Sequence, residues 1–273
     1  MNKILITGAS GFVGRNFAKF IYNLKPICIY NKSNFKYYKI ESYCCNLLNK
    51  KKINNLLFKI NPDIIFHFAA FTNPKENEHN PKESYNLNYL TTLNIINFLK
   101  KNKNKKLVFI STDKVYSNNS KIKEESNLNP KSEYAKNKYK AENEITKNLT
   151  NYFILRTPIV HAYGQKTSNS FIDKSLIDIK NKKKINVFAN IERCFVSVDS
   201  LNDFMKKLIN SNHYGTYNIG SKIMSYKDRI VFLCNYKGIS YKNLINVTKG
   251  NVTPIRQNMN TDKLKKNFNL KFE

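Results

Sequence analysis

Tryptophan is absent from the sequence, and glycine and proline are scarce, with 8 and 7 residues among 273. So few Gly and Pro exclude a collagen-like chain and a Gly- or Pro-rich linker. No apolar run approaches the ~20 residues that a membrane-spanning helix needs, so we expect no membrane association. Hydrophobic residues still make up 41% of the chain, and 18 Phe and 17 Tyr provide aromatic packing. Length and composition therefore predict one large α/β domain or two coupled lobes.

Acidic residues are few as well, because 19 Asp and Glu face 47 Lys and Arg, for a formal charge of +28. Such an excess is one signature of nucleic-acid binding. The lysines are scattered, however, and neither zinc-finger spacing nor an RNA-binding motif accompanies them. We interpret the charge as compositional bias on solvated surfaces and expect no nucleic-acid partner, with an RNA-binding protein as the alternative. A positive field also favours a phosphorylated substrate.

Cysteine and histidine are sparse and lack the spacing of metal ligands. The residues are Cys28, Cys44, Cys45, Cys194, Cys234, His67, His79, His161 and His213. We expect no metal site, and free thiols in a reducing compartment, which indicates the cytoplasm. The first apolar run is short and leads directly into a Gly-rich motif, so we expect no signal peptide.

Short apolar runs alternate with longer amphipathic ones through the first part of the chain, which is typical of a parallel sheet covered by helices. Predicted strands are 3–7, 27–30, 64–68, 107–111, 152–155, 187–190, 195–198 and 216–219, and predicted helices are 12–24, 52–60, 81–100, 134–147, 200–209 and 261–268. This order predicts an α/β fold with a doubly wound parallel sheet over residues 1–160. Residues 161–273 are expected to form mainly a smaller C-terminal substrate-binding lobe, with about 191–220 returning to the first domain.

A Gly-rich turn, T-G-A-S-G-F-V-G, follows the first predicted strand and leads into the first predicted helix. Gly8 permits a tight turn, Gly11 lets the backbone approach a pyrophosphate, and Gly14 allows close packing of helix on sheet. The helix N-terminus then presents N–H groups to the phosphates. A tight structural turn is the alternative. Predicted cofactor contacts here are Gly8, Ser10, Gly11, Phe12, Val13 and Gly14.

A second set of residues suits acid–base chemistry. Thr112 ends a predicted strand, and Tyr134 and Lys138 lie one turn apart on the same face of the following helix. A nearby ammonium lowers the pKa of a phenol, so we expect Tyr134 to exchange a proton with a substrate oxygen that Thr112 also binds. Tyr and Lys at this spacing also occur by chance, and Tyr139 has no such role. The combination with the Gly-rich turn favours catalysis by Thr112, Tyr134 and Lys138.

These motifs together resemble the extended branch of the short-chain dehydrogenases, the NAD-dependent epimerase/dehydratase superfamily. The resemblance covers nearly the whole chain and includes D-I-I-F-H-F-A-A at 63–70. It implies a Rossmann-type sheet in which Ala69 and Ala70 line the cofactor and Tyr134 and Lys138 also contact it. It implies a nucleotide-sugar substrate and is compatible with a homodimer.

The predicted cofactor is NADP, with NAD as the alternative. An acidic residue after the second strand would bind the ribose hydroxyls of NAD, but Y-N-K-S stands there. Lys32 and Arg15 are instead available to a 2′-phosphate. Solvated surface charge is the alternative role for both.

Within the branch, the wording S-T-D-K-V is closest to the dTDP-4-dehydrorhamnose reductases. Dehydratases usually have a Glu where this chain has Lys114, and a Lys cannot replace that carboxylate. The tail from Pro254 to Leu264 also resembles the reductases, whereas Ile159 replaces their usual aromatic residue and Arg193 is more typical of epimerases. The resemblance thus implies NAD(P)H-dependent reduction of a keto group on a nucleotide-activated 4-keto-6-deoxy sugar. A 4-epimerase and a non-catalytic cofactor-binding regulatory subunit remain alternatives.

Overall fold

A computed structural model describes residues 2–33, 35, 39–117, 119–168, 170–248 and 255–272. Pro254, at the start of the reductase-like tail, lies outside these residues. The chain divides into two compact units. The first comprises 1–115, 128–156 and 202–217, and the second comprises 116–127, 157–201 and 218–273.

The strands and helices are numbered in chain order. The strands are β1 Ile4–Thr7, β2 Ile27–Tyr30, β3 Ser42–Cys44, β4 Ile64–His67, β5 Lys106–Thr112, β6 Asn119–Ile122, β7 Tyr152–Thr157, β8 Ile159–His161, β9 Ile185–Phe188, β10 Ile191–Arg193, β11 Phe195–Ser197, β12 Gly215–Asn218, β13 Met224–Ser225, β14 Ile245–Thr248 and β15 Ile255–Met259. The helices are α1 Phe12–Phe20, α2 Lys50–Ile60, α3 Pro74–His79, α4 Pro81–Tyr85, α5 Thr91–Leu99, α6 Glu133–Asn148, α7 Phe171–Lys180, α8 Val198–Leu208, α9 Tyr226–Lys237 and α10 Asp262–Phe268.

A parallel sheet dominates the first unit. Its seven described strands follow the order β12-β7-β5-β4-β1-β2-β3. β1, β4 and β5 are rich in Ile, Leu, Val and Phe, and their side chains are nearly all buried because helices cover both faces of such a sheet. Residues of α2, α5 and α6 pack with these strands in one hydrophobic core. The predicted α/β class with a doubly wound parallel sheet is therefore confirmed.

The second unit contains shorter strands. The described ones pair as β13-β10-β15-β6, β11-β8 and β14-β9. Helices α7 and α9 pack on each other and on β9, and together they bury a separate core around Leu176, Phe195 and Leu233.

The long helix predicted over 81–100 forms as α4, a π-helical turn at Asn86–Leu90, and α5. The wider turn lies where Asn88 turns inward. Its Nδ2 donates to Phe71 O at 3.1 Å and its Oδ1 accepts from Phe71 N at 2.8 Å. These bonds satisfy backbone groups of the loop after β4, which explains a polar residue at a buried helical position.

No helix in the described ranges is both long enough and apolar enough to cross a bilayer.

Candidate active site

Two glycines shape the turn between β1 and α1. Gly8 has a φ of +67°, and a Cβ there would lie 2.5 Å from the backbone nitrogen of Ala69. A Cβ on Gly14 would overlap the carbonyl oxygen of Gly8. Any side chain at either position would therefore force β1, β4 and α1 apart. Gly11 is exposed, and its N–H donates to Gly8 O at 3.0 Å.

Among the described residues, no side chain caps the first turn of α1. Gly11 provides no side-chain cap, and the turn contains no acidic residue. Such an N-terminus attracts an anion through free N–H groups and the helix dipole. Phe12 and Val13 are half-buried in this turn. The half-buried Arg15 donates from Nη2 to Ser10 O at 3.2 Å, so its guanidinium lies beside the turn.

A cavity of about 220 Å³ opens beside the Gly-rich turn in the first unit. Its walls include the predicted contacts Gly8, Ser10, Gly11, Ala69 and Ala70, together with Ile29, Tyr30, Asn31, Cys45, Asn46, Leu47, Phe68, Leu87 and Thr91. The wall does not include the predicted contacts Phe12, Val13, Gly14, Arg15, Lys32, Tyr134 or Lys138. A cavity flanked by an uncapped helix N-terminus and by positions without room for a Cβ fits a dinucleotide.

Sequence reasoning missed one wall of this cavity, the segment Cys45–Leu47 after β3. The strand has only three residues, so its apolar pattern is too short to detect. Lys32 lies nearby and is exposed in the bend after β2, next to residues outside the described ranges.

Helix α6 carries the predicted acid–base pair on one face. Ser132 caps the helix by accepting from Ala135 N at 3.2 Å. Tyr134 is half-buried in the first turn, and Lys138 is 2% exposed. The Lys138 Nζ lies 3.7 Å from the centroid of the Phe109 ring. Burial lowers the pKa of Lys138 to about 7, and the Glu142 carboxylate acts in the opposite direction.

Thr112 is the last residue of β5 and is 6% exposed. Its Oγ1 donates to Asp113 Oδ1 at 3.3 Å and accepts from Lys114 N at 3.2 Å. Helix α6 packs against β5 and against the following Asp113–Val115 turn. The structure therefore places Thr112, Tyr134 and Lys138 on two elements in direct contact.

The protonation of Tyr134 differs from the expectation. We expected the Lys138 ammonium to lower the pKa of Tyr134. Burial instead raises that pKa, and the Asp113 carboxylate raises it further. The phenol is therefore in its protonated form near neutral pH, which is the form that donates a proton.

His67 at the end of β4 is buried and held at both ring nitrogens. Nδ1 lies 2.7 Å from Thr7 Oγ1, and Nε2 lies 3.0 Å from Thr92 Oγ1. Burial, and then the Lys138 charge, lower the pKa of His67 to about 3, so the ring is neutral. Within the described ranges, no group of three His, Cys, Asp or Glu side chains could hold a metal ion.

The two residues that depart from the reductase pattern lie in the second unit. Ile159 is half-buried in β8 and packs against the core of that unit. Arg193 is half-buried at the end of β10, opposite Met224 and Gln257 of the neighbouring strands.

A parallel sheet, a Gly-rich turn between β1 and α1, and a cavity beside that turn define a Rossmann-type dinucleotide-binding protein. The chain belongs to the family described as RmlD substrate binding domain, whose sequence model matches residues 1–265. This match confirms the family resemblance predicted from the sequence.

Individual relatives carry several different names. The chain is 36% identical over 136 residues to a UDP-glucose 4-epimerase of Mycoplasma genitalium, covering 45% of this chain and 40% of that protein. It is 29% identical over 174 residues to methionine adenosyltransferase 2 subunit beta of Danio rerio, covering 62% and 51%. The chain thus spans about half the length of the curated relatives it matches.

The fold itself matches that of solved enzymes over almost the whole chain. A dTDP-4-dehydrorhamnose reductase from Bacillus anthracis, solved in complex with NADP, superposes with a TM-score of 0.84. The two chains are 23% identical, and the match covers 99% of this chain and 93% of the other. At this identity the similarity establishes the fold.

Proposed function

We propose that the protein reduces a keto group on a nucleotide-activated 4-keto-6-deoxy sugar with NAD(P)H. One observation carries the proposal. Thr112 ends β5, Ala69 and Ala70 follow β4, and Gly8 follows β1, and these three strands are adjacent and parallel. Their carboxyl ends therefore meet at one edge of the sheet, where ligands of such folds bind. Thr112 and the cavity beside the Gly-rich turn lie along that edge, and the other two proposed catalytic residues are on α6, which packs on β5.

The residues divide the chemistry as follows. A bound nicotinamide would supply the hydride to the keto carbon. Thr112 would donate a hydrogen bond to the keto oxygen, and Tyr134 would donate its phenolic proton to the alkoxide that forms there. Lys138 would contribute a positive charge beneath the tyrosine and contact the cofactor. The raised pKa of Tyr134 is consistent with a residue that begins the cycle protonated.

NADP is the proposed cofactor, with NAD as the alternative. The cavity wall after β2 is Tyr30 and Asn31, neither of which supplies a carboxylate for ribose hydroxyls. Phe12, Val13 and Gly14 would contribute backbone and packing at the pyrophosphate, while Arg15 and Lys32 would meet a 2′-phosphate. The position of Arg15 beside Ser10 supports this assignment.

The remaining assignments concern the role of the second unit, the compartment and the partners of the protein. We propose that the second unit binds the sugar nucleotide, that the protein acts in the cytoplasm, and that it forms a homodimer without nucleic acid. Five free cysteines among the described residues support a reducing compartment.

A substrate panel tests the proposal directly. Purified protein is mixed with NADPH or NADH and with 4-keto-6-deoxy nucleotide sugars of different bases, and absorbance at the reduced nicotinamide band is followed. We expect oxidation that depends on the sugar, with a hydroxyl at C4 of the product. Turnover that interconverts 4-hydroxy epimers without net consumption of NADPH would contradict reduction.

That contrary result would support a nucleotide-sugar 4-epimerase, the second candidate. The similarity to the Mycoplasma genitalium epimerase and the presence of Arg193 favour this alternative. An epimerase would also retain its cofactor through purification, so mass spectrometry of the denatured protein separates the two activities.

A regulatory subunit without turnover is the third candidate, favoured by the similarity to methionine adenosyltransferase 2 subunit beta. Calorimetry would then record cofactor binding while every sugar in the panel remained unchanged. The presence of Thr112 at the end of β5, with Tyr134 and Lys138 on the helix that packs on this strand, argues against it.

A further inference from the structure

A buried ion pair joins α6, the helix that carries Tyr134 and Lys138, to the neighbouring strand β7. The side chains of Glu142 and Arg156 are 3% and 7% exposed. Arg156 donates from Nη2 to Glu142 Oε2 at 2.7 Å, and its Nε lies 3.2 and 3.1 Å from the two carboxylate oxygens. Pairing of this kind fixes the relative position of two elements more tightly than a single contact does.

The same carboxylate also reaches β5. Ser111 donates from Oγ to Glu142 Oε1, and Ser111 immediately precedes Thr112. One side chain of α6 is therefore bonded both to the catalytic end of β5 and to the end of β7. A shift of α6 along either strand would break these bonds, so Glu142 fixes the position of the helix relative to Thr112.

Glu142 also lies one helical turn beyond Lys138. Within the described part of the chain, no acceptor lies within hydrogen-bond distance of Lys138 Nζ, which rests on the Phe109 ring. A buried ammonium with so little compensation loses its proton easily, and the pKa of Lys138 falls to about 7. The Glu142 carboxylate is the charge that opposes this loss.

The other titratable groups near this face leave Glu142 in that role. They include Tyr134 on α6 itself, Asp113 and Lys114 on the turn after β5, the neutral His67 of β4, Tyr152 and Arg156 of β7, Glu78 of α3 at the first turn of α6, Lys82, Glu83 and Tyr85 of α4, and Tyr89 of the π-helical turn. Of these, Asp113 acts on Tyr134 and Glu78 bonds Glu133 N.

We propose that Glu142, held by Arg156 and Ser111, is a positioning residue for the reaction, which fixes α6 against Thr112 and supplies the counter-charge of the Lys138 ammonium. The proposal deepens the proposed function, on which it rests. Its role in catalysis passes through Lys138 and Thr112, since neither carboxylate oxygen is free to approach a substrate.

The test replaces Glu142 with Gln, which preserves shape and removes the charge. The pKa of Lys138 should fall by about one unit or more, so turnover at pH 7 should drop about fivefold and the alkaline limb of the kcat profile should move to lower pH. Two readouts report this change, the kcat profile and the titration of the Lys138 Cε resonance in lysine-labelled protein. Lys138→Met assigns that resonance. Glu144→Gln, the same substitution on α6 two residues further on, is the matched control and should leave both readouts unchanged.

A double variant separates the electrostatic role from a merely structural one. Glu142→Gln with Arg156→Met removes both buried charges, so it should fold more stably than Glu142→Gln alone. The Lys138 titration should nevertheless stay at the lower pH, because the counter-charge is still missing. Glu142→Asp, which keeps the charge, should restore part of the shift.

Two outcomes would overturn the proposal. One is an unchanged Lys138 titration in Glu142→Gln, and the other is a titration that returns to the wild-type value in the double variant. If the wild-type protein reduces no sugar in the panel, the proposed function fails, while the Lys138 titration still decides the role of Glu142.

Discussion

Two buried arginines, one in each unit, have different kinds of partner. Arg156 is 5% exposed and meets a carboxylate, Glu142, through paired hydrogen bonds. Arg229 is 2% exposed, and its Nη2 lies 2.7 Å from the Nε2 of a neutral imidazole, His161. Two aromatic rings complete its surroundings, with Phe195 and Phe232 centroids 5.9 and 5.4 Å from Cζ.

The two arginines thus differ in whether a carboxylate balances the buried positive charge. In the first unit, Arg156 pairs with Glu142, which also bonds Ser111 and raises the pKa of Lys138, so that position and charge both matter for the proposed chemistry. In the second unit, no partner exists among the described residues for Arg229 Nε or His161 Nδ1, both of which are buried. A buried cation that meets only an imidazole and π-faces tolerates change better, because removing it strands no opposite charge.

The largest expected effect is the loss of stability when Arg156 is removed, compared with removal of Arg229. Arg156→Met leaves the Glu142 carboxylate buried alone and should lower the free energy of unfolding by about 3–5 kcal/mol. Arg229→Met leaves only a neutral imidazole and should change that free energy by about 1 kcal/mol in either direction. Urea denaturation at pH 7.5 measures both. Equal losses in the two variants would show that the two sites are energetically alike.

The next effect concerns proton transfer, whose proposed residues all lie in the first unit. Tyr134→Phe removes the proton donor and keeps the ring, so kcat should fall by about 10²–10⁴-fold while cofactor affinity stays near the wild-type value. Tyr139→Phe makes the same change five residues along α6 and should leave kcat unaltered. Retention of more than about a tenth of the wild-type rate in Tyr134→Phe would refute the role of the phenol.

Acid should weaken the fold through its buried histidines. Burial, and then Arg229, lower the pKa of His161 to about 4, and that of His67 is lowered to about 3. The unfolded chain binds protons at these side chains below about pH 6.5, before the folded protein does, so stability is present above that pH and is lost as the pH falls. Each histidine should cost about 2 kcal/mol between pH 7 and pH 5.

Thermal unfolding at several pH values measures this loss. His161→Gln, which keeps a polar group against Arg229, should remove about half of the acid slope. His213→Gln, at an exposed position, is the control and should keep the full slope. An acid slope that His161→Gln does not alter would place the sensitivity elsewhere.

The two units also differ in how well the sequence predicts their elements. The bounds of β1, β4, β5 and α6 agree with the pattern within one or two residues, because continuous apolar runs and helical periodicity are local signals. Helix α9 was not predicted. Its Ile230 and Leu233 are buried while Phe232 and Tyr236 are exposed, so apolar side chains surround the helix and leave no amphipathic period.

Some residues of the candidate site could be predicted from the sequence, and others could not. The Gly-rich turn and the residues Thr112, Tyr134 and Lys138 could be predicted as site residues because each motif is contiguous or one helical turn long. The contacts among Ser111, Glu142 and Arg156 join β5, α6 and β7, and they form only when these three elements pack together in the fold. A Glu one turn beyond Lys138 was the available signal, and a single charge on a helix is usually solvated.

The smallest expected effect concerns cations at the surface, which extend the comparison from buried charges to exposed ones. Lys32 is exposed, and Arg15 is half-buried beside Ser10, so solvent screens both more than it screens Arg156. NADPH should bind more tightly than NADH, and Lys32→Asp with Arg15→Ala should reverse the order. A charge-assisted bond to the 2′-phosphate in a partly exposed site should be worth about tenfold in affinity, or ~1.4 kcal/mol. The introduced Asp would also repel the phosphate and accept from a ribose hydroxyl, so both changes act in the same direction. Calorimetric titrations of NADPH and NADH at one ionic strength measure the order of their affinities. Lys25→Asp makes the same substitution at an exposed position before β2 and controls for the change in net charge. Equal dissociation constants in the wild-type protein would mean that neither cation contacts the phosphate and that the protein accepts both cofactors.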